Sequence, residues 1–446
     1  MRPVAKLIAC GALAILLGAF QSARAQTSGA SKKRVTADPA AEALNRLLAE
    51  AQEAADRKDY ATAAKDYRAY LEKKPDDALV HFNLGYVYTA LESPADARTE
   101  YEKAISLDPK MTPAYVNLGL ALLASDPAAA VAPLQNAVEL SPEEVRPRLF
   151  LGKALERSGK PAQAIEVYQD AKKLAPEDVD VQLALGRALL NASRAAEAEA
   201  EFRAALAMHS DQPRVAQAHL GLARALLAQN TPGKMPDAAA ELAAYLEAQP
   251  GDAAARVDRA AVLEGLKKYD DALAELDRAA AGPEDLRALK LRGKICFEQK
   301  RYPDAVAAIQ KASALAPRDP DIPALLGHLY LLEKDYPSAV RALVSAHNVQ
   351  PEATDVLGDL VSAEYFAKNY PATLAALDDL AKLQELSPAR WFIRAACYDK
   401  LDQPAEALEA YRKFLQLNTD ENNDMYFEAS ARVRVLTVEL QNKKKR

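Results

Sequence analysis

Residues that often carry chemistry are present, but their spacing defines no catalytic or nucleotide-binding motif. Walker A loops, HExxH segments, GxSxG elbows and CxxC pairs are all absent from the sequence. The segment from Gly152 to Gly159 and Lys160 resembles a phosphate loop only superficially. It has six intervening residues where such a loop has four, and Pro161 follows where Ser or Thr is needed. We therefore predict no nucleotide chemistry.

Metal and acid chemistry are equally unsupported. None of the histidines is spaced from another His, a Cys or a carboxylate as metal ligands usually are; they are His81, His209, His219, His328 and His347. Adjacent acids such as Glu143-Glu144 and Asp378-Asp379 occur near turns or on outer faces, where charges are usually solvated. We expect no catalytic residue, no cofactor and no metal ion, so the protein is predicted not to be an enzyme.

Composition and charge exclude several other classes of protein. The 446 residues carry 57 Lys and Arg against 63 Asp and Glu, a formal net charge of −6. An acidic chain of ordinary charge content is a poor candidate for nucleic-acid binding. Hydrophobic residues make up 50%, many of them Ala, and aromatics only 6%. This composition argues against a membrane channel, a collagen, a disordered tail or a disulfide framework.

The first 25 residues have the plan of a secretory signal peptide. Arg2 and Lys6 precede an apolar run over 7–20, and Ala23-Arg24-Ala25 has the small-x-small form of a cleavage site. Fourteen apolar residues are short for a membrane span, although an uncleaved anchor is the alternative. We predict cleavage after Ala25, a periplasmic or secreted protein, and a flexible polar lead-in over 26–39.

Internal repetition is the main signal in the rest of the chain. After Gly85 come Ala97, Tyr101, Ala104 and Pro109. The glycine recurs at Gly119, Gly152 and Gly186, at spacings of 34, 33 and 34, and looser copies follow at Gly293 and Gly327. Counting the other equivalents of this column, Ala51, Ala223, Ala260, Val361 and Ala395, gives eleven copies over about 40–420.

Each copy predicts two helices joined by a short polar turn. The first carries Leu-Gly-x-x-Tyr, and the second carries Ala-x-x-x-Tyr/Phe-x-x-Ala with its apolar residues on one face. A proline then ends the second helix. This pattern resembles the tetratricopeptide repeat family over nearly all of the chain after residue 25. Departures are Val361 in the glycine column and bulky Tyr70, Tyr245 and Phe414 in place of the second alanine.

The resemblance implies an all-α fold, an α-solenoid of about eleven tetratricopeptide helix-turn-helix repeats whose first helices line a concave groove. It also implies binding of peptides or protein segments in that groove. A further helix over about 424–440 is expected to cap the open end, within a segment 421–446 that finishes in a basic tail.

When the repeats are aligned, His81 and His219 occupy a buried column and are predicted packing residues. Cys296 and Cys397 fall three copies apart, too far for a disulfide, and are predicted to be buried and free.

Basic residues are predicted to line part of the groove. Successive residues of a helix are 100° apart around its axis. In the first helix of each copy, the positions −6, −3, +1, +4 and +5 from the glycine therefore lie about 40° to 140° from it, on the face where the resemblance places groove residues. In the fourth to sixth and eighth copies they hold Arg146, Lys153, Arg157, Arg187, Arg224, Arg287, Lys290 and Lys294. Such a stripe would suit acidic segments or carboxylate termini. Alternatively, these bases pair with acids on neighbouring helices, such as Glu156 or Glu298.

The second and third copies carry apolar residues on the same face. Phe82, Tyr86 and Leu120 are the predicted anchors, with Leu79, Val116 and Leu123 beside them. An exposed surface of this kind suits a hydrophobic peptide or the lead-in folding back.

The sequence therefore predicts an exported, non-enzymatic scaffold for protein or peptide partners. We expect no nucleic acid, no small-molecule substrate, and contact with a membrane only through partners. An assembly factor of a cell-envelope machine for secretion, pili or exopolysaccharide export is one alternative. A purely structural spacer is another. A hidden hydrolytic enzyme would need perturbed acids clustered in one pocket, and no such cluster is evident in the sequence.

Overall fold

The computed structural model describes residues 39–208, 210–280, 284–418, 420 and 423–445. The predicted signal peptide, most of the lead-in and His209 lie outside these residues. The described residues form 23 α-helices and no strand. The chain forms two compact units, with the boundary between Gln249 and Pro250.

Unit 1, residues 39–249, contains six helix pairs, one for each of the first six sequence copies. They are Pro39–Asp56 (α1) with Tyr60–Leu71 (α2), Ala78–Ala90 (α3) with Pro94–Leu107 (α4), Thr112–Leu123 (α5) with Pro127–Leu140 (α6), Val145–Arg157 (α7) with Pro161–Leu174 (α8), Val179–Asn191 (α9) with Ala195–Ala207 (α10), and Gln212–Ala228 (α11) with Met235–Ala248 (α12).

Unit 2, residues 250–445, contains five pairs and a final helix. They are Ala253–Gly265 (α13) with Tyr269–Ala279 (α14), Leu286–Glu298 (α15) with Tyr302–Leu315 (α16), Asp321–Glu333 (α17) with Tyr336–Val349 (α18), Thr354–Phe366 (α19) with Tyr370–Leu383 (α20), Pro388–Lys400 (α21) with Pro404–Leu417 (α22), and Asp424–Lys445 (α23). The predicted all-α solenoid of eleven helix-turn-helix repeats with one further helix is confirmed. The domain boundaries inferred from the sequence stay a prediction.

Local sequence explains where these helices begin. Several first helices follow an aspartate that caps them; Asp77, for example, accepts a hydrogen bond from the backbone N–H of Val80 at 3.1 Å. Many second helices instead begin with proline, such as Pro94 and Pro161, whose missing N–H is not needed in the first turn. Neither signal is exclusive, since Asp59, Asp126 and Asp335 cap second helices and Pro388 begins a first helix.

The turn inside a pair uses a left-handed residue. Ten of the eleven turns contain one, with φ between 49° and 78°. They are Lys58, Glu92, Gly159, Ser193, Asn230, Lys267, Lys300, Lys334, Lys368 and Asp402. Only Gly159 is a glycine, although the left-handed region strains other residues. The turn between α5 and α6 has no such residue, and α5 is one residue shorter than α3.

The glycine column lets the two helices of a pair approach closely. A Cβ atom built on Gly152 would lie 2.3 Å from the ring of Tyr168, a fully buried residue of α8. The ring therefore packs directly on the backbone of α7, and the large and small columns of the repeat fit together.

Helix α23 packs on the last pair of unit 2. Ala429 and Leu436 are buried in a cluster with Tyr411 and Phe414, and Arg432 forms a salt bridge with Asp399. Every helix among the described residues is too short or too polar to span a lipid bilayer.

Candidate binding surfaces

The predicted basic residues of unit 1 lie on three successive first helices and are exposed. Arg146, Lys153 and Arg157 are on α7, Arg187 is on α9, and Arg224 is on α11. We call these five residues the basic surface of unit 1.

Three charges of the basic surface act on one another. The pKa of Lys153 is lowered, first by partial burial and then by the positive charges of Arg187 and Arg157, while Glu156 opposes the shift. The charges of Arg187 and Arg157 act on Lys153 because both guanidinium groups lie near it. The structure therefore brings residues from two repeats into one positively charged region.

Glu156 neutralises part of this region. Its carboxylate accepts hydrogen bonds from the Tyr168 hydroxyl at 2.9 Å and from Arg187 Nη2 at 3.3 Å. Arg157 Nη2 lies 3.5 Å from the carbonyl oxygen of Ala124, which carries no formal charge. Within the described residues, Arg146, Lys153 and Arg224 form no ion pair.

The predicted basic residues of unit 2 are paired with acids. Arg287 Nη2 lies 2.6 Å from Asp258, Lys290 Nζ lies 2.5 Å from Asp319, and Lys294 Nζ lies 2.9 Å from Glu264. Ion pairing, which the sequence left open for the whole stripe, holds for these three residues and for Arg187, which pairs with Glu156. The positive charge available to a partner is therefore concentrated in unit 1.

The predicted apolar anchors differ in accessibility. Phe82 is only 7% exposed, and its ring centroid lies 5.9 Å from that of Tyr101, so it belongs to the core of unit 1. Leu120 and Tyr86 are partly buried. Burial and the neighbouring Tyr60 raise the pKa of Tyr86 to about 12. Val116 and Leu123 are buried, whereas Leu79 is 59% exposed. The accessible part of this face is therefore smaller than the sequence pattern suggests.

Histidines pair with acids that are distant in sequence. His81 Nδ1 lies 2.5 Å from Glu100 Oε2, and its Nε2 lies 2.8 Å from the carbonyl oxygen of Pro75, with the ring buried. His219 pairs similarly with Glu241 at 2.6 Å. These contacts agree with the predicted packing roles, but sequence spacing alone did not reveal the acid partners. Cys296 and Cys397 are free and buried, as predicted.

Sequence reasoning missed a buried acid in unit 2. Glu275 is 2% exposed and accepts hydrogen bonds from Arg256, Arg259 and Arg278 at 2.6–2.8 Å. Its sequence signal is a recurring acid in the second helix, three residues after the conserved alanine, where other copies hold Glu100, Glu201 and Glu241. Three guanidinium groups around one carboxylate account for its burial and mark a structural network.

Comparison with known proteins identifies the repeats. Family profiles described as tetratricopeptide repeat match residues 48–112, 145–188, 183–253, 233–285, 269–320 and 388–421, which together exceed half of the chain. No curated protein is a significant match.

Several solved structures are similar to parts of the chain. PilF of Pseudomonas aeruginosa is 21% identical over 48% of this chain and 94% of its own, with a TM-score of 0.41. YrrB, described as a tetratricopeptide repeat protein with an unusual peptide-binding site, is 22% identical over 43% of this chain and 97% of its own, with a TM-score of 0.37. Yeast Tom70 is 13% identical over 90% of this chain and 96% of its own, with a TM-score of 0.34.

Proposed function

Because the chain belongs to the tetratricopeptide repeat family, a family of protein-interaction repeats, we propose that it is an exported, non-enzymatic scaffold. In this proposal it binds acidic segments of partner proteins along the first helices of unit 1, which line the groove in this family. An extended acidic segment would cross α7, α9 and α11 in turn.

The observation that carries the proposal is the incomplete neutralisation of the basic surface of unit 1. Lys153 is close enough to Arg157 and Arg187 for their charges to lower its pKa. Several positive charges on neighbouring helices would attract an approaching carboxylate more strongly than an isolated surface lysine does. A partner carboxylate would also relieve the repulsion among the three cations.

The proposed export rests on the signal-peptide plan of residues 1–25. A bacterial periplasm is the compartment that fits the Ala-rich apolar run and the Ala23-Arg24-Ala25 site. An assembly factor of an envelope machine is a narrower form of the same proposal, and the identity of the captured partner would decide it.

The test is a cross-linked pull-down from cell envelope with tagged residues 26–446. One variant combines Lys153→Glu, Arg187→Glu and Arg224→Glu. A matched variant makes the same charge change at three other exposed lysines that lie off the first helices, Lys65→Glu, Lys110→Glu and Lys160→Glu. Both must keep the helical circular dichroism of the parent.

We expect the parent and the matched variant to capture a partner protein that the first variant fails to capture. Its capture should weaken as salt rises, because the contact is electrostatic. A partner retained by the first variant would refute the basic surface and direct attention to Leu79 and Tyr86. Capture of no partner by the parent would favour the structural spacer.

A further inference from the structure

Helix α23 carries apolar residues on two opposite faces, and only one of these faces is covered. On the face towards the last repeat, Ala429 and Leu436 are buried in the cluster that contains Tyr411 and Phe414. The opposite face carries four residues that we call the outer stripe, namely Phe427, Ala431, Val435 and Val438. They lie within about 80° of the helix circumference, because successive residues are about 100° apart. The helix is therefore apolar on both sides, whereas an ordinary surface helix is apolar on one.

The outer stripe is well exposed to solvent. Phe427 is 60% exposed, Val435 52% and Val438 57%, and Ala431 is exposed as well. Single exposed apolar residues are common on protein surfaces and need no explanation. Four of them aligned along about three helical turns form a continuous apolar surface, which is typical of a contact with another molecule.

The charge pattern along α23 indicates what covers the outer stripe. Two exposed acids, Asp424 and Glu428, lie at the start of the helix, and the sequence at 443–446 is wholly basic. Two parallel copies of this helix would bring acids against acids and bases against bases. Two antiparallel copies would bring the acidic start of each against the basic end of the other, and would also oppose the two helix dipoles. An anionic lipid surface would attract one end of the helix and repel the other. The pattern therefore favours a second copy of the same helix over a membrane.

The sizes of the side chains in the outer stripe favour the same orientation. A twofold axis at the midpoint of the stripe places Phe427 of one copy opposite Val438 of the other, and Ala431 beside Val435. A larger side chain then meets a smaller one at each contact. Parallel pairing would place Phe427 against Phe427 and Ala431 against Ala431, which would crowd one contact and leave a gap at the other.

The area of this face sets the strength of the contact. Helix α23 has 22 residues, so it is about 33 Å long. A third of the accessible circumference of such a helix amounts to roughly 500 Å², and two copies would together bury on the order of 1,000 Å². Interfaces of this size belong to weak and transient complexes. We therefore expect the dimer to exchange with the monomer.

We propose that the outer stripe of α23 binds the outer stripe of a second copy of this chain, with the two helices antiparallel about a twofold axis. Contact between the two stripes removes Phe427, Val435 and Val438 from water in both copies, which drives the association. The contact uses no residue of the basic surface of unit 1, so it is independent of the proposed function.

Sedimentation velocity of the purified protein over a range of concentrations tests the proposal. The stripe variant combines Val435→Glu and Val438→Glu, which add charge to the outer stripe without changing the buried face of α23. The matched control combines Val344→Glu and Val349→Glu, since both residues are exposed valines on α18 of the same unit. Circular dichroism must show that both variants keep the helical content of the parent.

The parent and the matched control should approach twice the monomer mass as the concentration rises from about 1 to about 200 μM, and the stripe variant should need at least roughly tenfold more protein to associate. A parent that stays monomeric over this range would overturn the proposal, as would a stripe variant that associates like the parent. Flotation of the parent with phosphatidylglycerol vesicles, lost in the stripe variant, would assign the outer stripe to a lipid surface and overturn the proposal as well.

Cross-linking of single cysteine variants with a short bismaleimide tests the orientation. In the antiparallel dimer, the two copies of residue 431 lie close to the twofold axis, whereas those of residue 424 are about 25 Å apart along the helix. Ala431→Cys should therefore cross-link well above the background of the parent, in which Cys296 and Cys397 are buried. Asp424→Cys should stay at that background. The reverse result would refute the antiparallel arrangement.

Discussion

The hydroxyl group of Tyr168 donates a hydrogen bond to the carboxylate of Glu156 at 2.9 Å and so joins the two helices of the fourth repeat. The same carboxylate also accepts a hydrogen bond from Arg187 of the next repeat. One buried tyrosine thus fixes an acid that controls how much positive charge the basic surface of unit 1 presents.

Tyr168→Phe should lower the free energy of unfolding of unit 1 by about 1–2 kcal/mol, because a hydrogen bond to a charged acceptor is lost without a large change in volume. Urea denaturation followed by circular dichroism measures the shift. Tyr67→Phe is the control at the equivalent column of the first repeat, since the Tyr67 hydroxyl forms no hydrogen bond with the described residues. Equal effects of the two changes would contradict the role given to Glu156.

Gly152→Ala should destabilise unit 1 by about 1–3 kcal/mol, because the new methyl group would overlap the Tyr168 ring and the fully buried ring cannot move away freely. Gly233→Ala has open space around the added atom and should change stability by less than about 0.5 kcal/mol. Thermal unfolding of both variants measures the two changes in stability. An unaffected Gly152→Ala would show that the helices of the pair separate at little cost.

The acid stability of unit 1 should depend on Glu199. Burial alone would raise its pKa, but hydrogen bonds from Gln229, Lys234 and Arg203 outweigh it and lower the pKa to about 2. Because the folded pKa lies below that of the unfolded chain, this stabilisation is present above about pH 4.5 and is lost as the pH falls towards 2. We expect about 1–2 kcal/mol, allowing for solvent screening.

Urea denaturation at pH 7, 4.5 and 3 tests this dependence. Glu199→Gln should be less stable than the parent at pH 7, and the difference should shrink at pH 3. Glu166→Gln is the control, since Glu166 is exposed on α8 of the same unit and forms no ion pair with the described residues. A difference that stays constant with pH would assign the effect of Glu199 to packing.

Export predicts that the protein in the periplasm begins at Gln26. N-terminal sequencing of protein released by osmotic shock checks this. Ala25→Gln should block cleavage and leave the uncleaved chain with the membrane fraction, because the enzyme that removes signal peptides requires a small residue there. Recovery of the full chain from the cytoplasm, with parent and variant alike, would refute export.

The fold was predictable because its signals recur. Glycine spacings, helix caps and period-3.6 apolar positions each repeat many times, so errors in single copies did not shift the register. Even the spacing of 33 after Gly119 has a structural cause, since α5 is one residue shorter and its turn lacks a left-handed residue.

The binding surfaces were less predictable, because they depend on contacts between residues about 30 positions apart. Lys290 and Lys153 look alike on a helical wheel, yet Asp319 neutralises only the former. Phe82 falls on the predicted groove face but packs on Tyr101, because a large ring can reach the core from a boundary position.

The left-handed turns give a prediction of their own. Lys300→Gly should raise the free energy of unfolding of unit 2 by about 0.5–1 kcal/mol by removing strain at a residue with φ of 59°. Gly159→Ala, the reverse change in unit 1, should lower stability by about 1 kcal/mol although its Cβ would meet no atom within 4 Å. Urea midpoints of the two variants should therefore move in opposite directions.

In nine of these turns the left-handed residue is not glycine, and each turn belongs to a different repeat. Substitutions at sites so far apart contribute additively, so glycine could be introduced one turn at a time and the gain would accumulate. An engineer could thus raise the heat tolerance of this array in graded steps without altering any helix face. Natural selection removes variants only when their stability falls below what the function requires. Stabilising substitutions of this kind are therefore expected to remain unused.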